Sequence, residues 1–83
     1  MNSQLVPASL REILADTLEI SPEEVTPELN TDAIETWDSF RHLQIMLALE
    51  GEYSVQFDPQ QIPNLTSVAK IQEALAAKGV DLE

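Results

Sequence analysis

An all-α fold, a bundle of three main helices plus one short helical turn, is predicted by three observations. Two stretches carry apolar residues at helical spacing; a third, between them, is apolar around most of its circumference; and the one alternating run, Tyr53, Val55 and Phe57, has no partner strand anywhere in the chain. At 83 residues and 43% hydrophobic side chains, the chain can enclose one core and forms a single domain over residues 1–83. It contains no cysteine, so neither a disulfide framework nor a thiolate metal site can hold the fold, and stability has to come from apolar packing.

In the first helix Leu10, Ile13, Leu14 and Leu18 form one apolar stripe with Thr17 beside them, over about Pro7 to Glu19. Two starts fit: Pro7 at the first helical position, or Ser9 and Glu12 as a capping box. The stretch "SPEE" repeats the start signal with Ser21 as cap, Pro22 in the first turn and Glu24 reaching back. Pro27 follows too soon for a long helix, so 21–36 reads as one helical turn inside a long ordered loop, anchored by Val25, Leu29 and Ile34. From Ser39 to about Glu50 every turn carries apolar groups, Phe40, Leu43, Ile45, Met46, Leu47 and Leu49 among them, which predicts the most buried helix of the fold. Leu43→Ala or Leu47→Ala is then expected to cost about 2 to 5 kcal/mol. After an extended connector whose Phe57 plugs the core, Pro59 and Pro63 bracket one turn that sinks Ile62. A last helix begins after Thr66, turns Val68, Ile71 and Leu75 inward, and stops at Gly79, a residue suited to the left-handed position past a helix end.

Fifteen acids against four Lys plus Arg give a formal net charge of −11. That charge repels phosphate backbones and anionic lipid surfaces, which argues against nucleic-acid and membrane partners and for basic protein partners. The first residues, "MNSQLVPASL", lack a basic region followed by a long apolar run, and the expectation is a soluble cytoplasmic monomer.

The stretch "WDSF" stands where a polar loop turns into the apolar helix. Asp38 can cap that helix, which leaves Ser39 at the first helical position with its hydroxyl toward solvent. Free N–H groups and the positive end of the helix dipole lie there, so a phosphodiester on the serine is favoured electrostatically. The acid beside it can hold the cationic or metal-bearing side of a modifying enzyme, and Trp37 and Phe40 flank the pair with apolar surface.

With "LQIMLALEGEYSVQF" and "IPNLTSVAKIQEAL" downstream, the chain resembles the acyl carrier proteins, of the discrete type, over almost its whole length. The resemblance implies an acyl-carrier-protein-like bundle that does no chemistry itself. It implies Ser39 as the serine esterified with phosphopantetheine by a dedicated phosphopantetheinyl transferase, Asp38 as the motif acid, and Phe40 in the place of the family's leucine. The arm would hold acyl or aminoacyl groups as thioesters, which accounts for the absent cysteine. The chain would present its cargo to a ligase or transferase and then to downstream pathway enzymes, docking through Trp37, Phe40, Arg41, Gln44 and Leu47. Where carriers of fatty-acid synthesis show acids on the second helix, this chain has Arg41, His42 and Gln44, and Arg41 is expected to repel basic docking patches. Ser54 replaces the family's common glycine, and Trp37 before the Asp is more typical of specialised pathways.

Plainer readings exist for each residue. Ser39 can be a simple helix cap, Trp37 a loop anchor, and His42 a surface histidine without chemistry. The acids match no calcium loop. Two rival functions remain: a hydrolytic site of Ser39, His42 and Asp38, against which Asp38 stands too close in sequence to orient His42; and an acidic helical interaction module with no prosthetic group, which leaves the exposed serine without a purpose.

Overall fold

The computed structural model describes residues 6–80, so the N-terminal stretch discussed above lies partly outside the described residues. Three helices are present: α1 over Ala8–Leu18, α2 over Ser39–Tyr53 and α3 over Val68–Ala77. Two short 3-10 turns join them: Pro22–Glu24, within the stretch 21–36 where one helical turn is expected, and Ile62–Asn64, overlapping the end of the turn expected between Pro59 and Pro63. Among the described residues the only strand-like pairing is an isolated bridge between Asn30 and Ser67.

Pro7, whose ring cannot donate, is the N-cap of α1, and its carbonyl accepts the Arg11 N–H at 2.8 Å. No side chain caps this helix, so the Ser9–Glu12 capping box does not form. The Ser9 hydroxyl is instead hydrogen-bonded to the Tyr53 hydroxyl at 2.6 Å, tying α1 to the end of α2. Ser21 likewise gives only its carbonyl, to the Glu24 N–H at 2.9 Å, and no side-chain cap. Ser67, one residue beyond the expected start signal, caps α3 by accepting the Lys70 N–H.

All three helices end in the same way. A left-handed residue follows each helix, directly at Glu19 (φ 60°) and Ser54 (φ 56°) and one residue later, after Lys78, at Gly79 (φ 88°). The next residue, Ile20, Val55 or Val80, returns its N–H to a carbonyl five residues back and packs against the core. Only Gly79 takes this conformation without opposition from a Cβ.

Leu10, Leu14 and Leu18 of α1, Ile45, Met46 and Leu49 of α2, and Val68, Ile71 and Leu75 of α3 are fully buried against one another. Phe57 and Leu65 join this core, and Val25, Leu29 and Trp37 fasten the long loop to it, with Ile34 partly buried against it. That loop is also pinned by its backbone: Leu29 and Pro27 carbonyls accept the Val68 and Ala69 N–H groups, and Thr31 donates to the Thr66 carbonyl. Phe57 is held by the Glu50 carboxylate, which accepts its N–H at 2.8 Å.

One expectation fails on α2. It is not the most buried helix, because Phe40, Leu43 and Leu47 are 69%, 50% and 60% exposed. These residues recur at spacings of three and four and share one stripe, which no element covers among the described residues. Its C-terminal end also runs one turn past the expected Glu50, taking Tyr53 out of the connector.

Candidate functional site

The sequence D-S-F sets the local geometry. Asp38, in extended conformation, is the N-cap of α2: its Oδ1 accepts the Arg41 N–H at 2.9 Å and its carbonyl accepts the His42 N–H at 2.9 Å. Ser39 is therefore the first helical residue, and it is exposed. Among the described residues the N–H groups of Ser39 and Phe40 have no acceptor, as expected for the first turn of a helix. They add to the positive end of the dipole beside the serine hydroxyl. A groove of about 650 Å³ opens next to it, walled by Thr31, Trp37, Leu43, Ile62 and Thr66.

Under the serine lies a polar link that the sequence reading misses. The Trp37 indole N–H donates to His42 Nδ1 at 3.0 Å, and His42 Nε2 lies 2.8 Å from the Ile62 carbonyl. Because Nδ1 accepts, the ring proton resides on Nε2 and is donated to Ile62, so the two partners select one neutral tautomer. His42 is half-buried rather than a free surface residue. A signal for the link is present in the sequence: Trp37 and His42 occupy the position before the cap and the fourth helical position, the spacing at which residues staple a helix entry.

The same contacts remove the hydrolytic reading. Both ring nitrogens of His42 are committed elsewhere, the Asp38 carboxylate faces the Arg41 N–H, and no hydrogen bond joins Ser39 to His42.

Of the residues assigned to partner docking, Phe40, Gln44 and Leu47 are exposed beside Ser39. The other two, Trp37 and Arg41, are placed differently. Trp37 is only 3% exposed: its indole anchors the loop in the core and reaches the surface only where it walls the groove beside Ser39. Arg41 is turned across to α1, where its guanidinium donates to the Thr17 carbonyl at 2.7 Å and pairs with Glu19 at 3.3 Å. Its guanidinium is thus directed toward the end of α1 rather than along the exposed stripe of Phe40 and Leu47. Leu43, expected in the core, joins Phe40 and Leu47 on the exposed stripe. From Ser39 to Leu47 the exposed face of α2 carries no acid.

A family model described as a phosphopantetheine attachment site matches residues 8–75. The chain is 33% identical over 69 residues to "Polyketide-8 synthase acyl carrier protein 2" of Streptomyces avermitilis, covering 83% of this chain and 79% of that protein. It is 27% identical over 78 residues to an acyl carrier protein of Thermosynechococcus vestitus, covering 94% of this chain and 96% of that protein.

Proposed function

The chain belongs to the family of phosphopantetheine-bearing acyl carrier proteins, and from that premise we propose that Ser39 is the residue that takes the arm and that the carrier serves a specialised biosynthetic pathway. Like its family, it is a carrier and not a catalyst, with phosphopantetheine covalently attached. The group supplies the thiol on which cargo is held, which a chain without cysteine cannot do. The observation that carries the assignment is Ser39 itself, an exposed hydroxyl at the first position of a capped helix, with unclaimed N–H groups around it. Those donors and the helix dipole favour the negative phosphodiester. Asp38 fixes where the helix starts, and so where the hydroxyl stands.

The uncharged face beside the arm supports the specialised pathway. Phe40, Leu43 and Leu47 offer apolar contact, with Gln44 the polar residue among them, so a suitable partner presents an apolar patch rather than a basic one. The partners are a phosphopantetheinyl transferase, an acyl or aminoacyl ligase or transferase, and the enzymes that follow. Among the described residues no helix is long and apolar enough to cross a membrane. The reading places the protein as a monomer in the cytoplasm, with the coenzyme A that donates the arm.

The test is intact-mass spectrometry after incubation with coenzyme A and a broad-specificity phosphopantetheinyl transferase. One phosphopantetheinyl addition to the wild type and none to Ser39→Ala is the expected result. An addition that survives in Ser39→Ala would place the arm elsewhere.

A further inference from the structure

Trp37 precedes the Asp38 cap, and His42 is the fourth residue of α2. Side chains at these two positions commonly pack together and set the angle at which the chain enters the helix. In this protein the pair is joined by a directed hydrogen bond, indole N–H to Nδ1, and the opposite ring nitrogen is held by the Ile62 carbonyl of the second 3-10 turn. One imidazole therefore ties together three segments: the loop before α2, α2 itself, and the turn that leads into α3. Trp37 is 3% exposed, so its N–H has little access to water if His42 is lost, and a buried donor without an acceptor is costly.

Ser39 stands one turn above His42 on the same side of the helix, and only Asp38 separates it from Trp37. Trp37 directly precedes the Asp38–Ser39 junction, so a shift of its anchored backbone moves the start of α2. We propose that His42 is a positioning residue for the loading of Ser39. It fixes the entry angle of the chain, and so the orientation in which the hydroxyl and the free N–H groups meet the transferase. The inference rests on Ser39 being the attachment serine. His42 acts through Trp37 and makes no hydrogen bond to the Ser39 hydroxyl.

The requirement is an acceptor toward Trp37 and a donor toward Ile62 on one side chain. Glutamine carries both on its amide, whereas phenylalanine keeps the ring and carries neither. The test measures transfer kinetics from coenzyme A to wild type, His42→Phe and His42→Gln with one transferase, at a temperature where melting curves show all three folded. Nitrogen-15 NMR of His42 is recorded alongside. The expected result is the Nε2–H neutral tautomer in the wild type and a fall of about 10- to 100-fold in kcat/KM for His42→Phe, the scale that misplacement of a reacting group can cost. His42→Gln should recover most of it.

His42→Phe loading within twofold of wild type, His42→Gln no better than His42→Phe, or a wild-type ring protonated on Nδ1 would each overturn the inference. Failure of the wild type itself to load is a separate outcome, which removes the Ser39 assignment and this inference with it.

Discussion

Arg41 donates a hydrogen bond to the Thr17 carbonyl at 2.7 Å, so the cation nearest Ser39 on α2 serves the end of α1 rather than the protein's surroundings. Carbonyls in the last turn of a helix lack intrahelical partners, and a guanidinium matches both their hydrogen bonding and the negative end of the dipole. The Glu19 carboxylate, 67% exposed, adds a solvent-screened ion pair that contributes little.

Arg41→Ala should therefore destabilise the fold by about 1 to 2 kcal/mol, through the lost charge-assisted bond, while Glu19→Gln should change stability by less than about 0.5 kcal/mol. Chemical denaturation of both variants measures the difference. Equal effects, or none for Arg41→Ala, would mean that the reach to α1 is unimportant in solution.

The exposed stripe makes a sharper distinction within α2. Leu43→Ala and Leu47→Ala should melt close to wild type, within about 0.5 kcal/mol, because both side chains are at least half exposed. Leu49→Ala, fully buried, should cost about 2 to 5 kcal/mol. A large loss for Leu47→Ala would place that residue in the core after all.

Ser54 holds a left-handed conformation with φ 56° at the end of α2. Glycine takes this position without Cβ strain, so Ser54→Gly should raise stability by up to about 1 kcal/mol. A lowered melting temperature would contradict the shared helix ending seen after α1, α2 and α3.

Partner choice tests the apolar face directly. Leu47→Glu and Gln44→Glu should weaken loading of cargo by the carrier's own ligase and improve use by fatty-acid elongation enzymes with basic docking patches. The comparison uses the same thioester cargo throughout. Wild type that elongates as fast as an ordinary fatty-acid carrier, with no gain in either variant, would remove the support for a specialised pathway.

How much of this was legible in the sequence differs by element. The apolar stripes of α1 and α3 face one core and nothing else, so Leu10, Leu14, Ile71 and Leu75 could be read directly from their spacing. The stripe of α2 could not, because apolar periodicity does not distinguish a face that meets other helices from one awaiting a partner. Phe40, Leu43 and Leu47 look like core residues until the packing is known. The capping box at Ser9 does not form because Pro7 is the cap and the Ser9 hydroxyl bonds Tyr53, while Ser21 is the cap of its turn as expected but without the side-chain bond. Ser39 and Asp38 were legible because helix start chemistry is local: cap and first-turn residue lie side by side in the chain. The Ile62 carbonyl on His42 was not, since a backbone group 20 residues away leaves no mark on side-chain pattern.

The most direct measurement of the central claim is a peptide map of the protein purified from its own cells. The peptide containing Ser39 should carry phosphopantetheine, a fraction of it bearing a further acyl or aminoacyl mass that hydroxylamine removes as a thioester. A bare Ser39 in folded protein from cells that load their other carriers, or a modification found only on another residue, would contradict it.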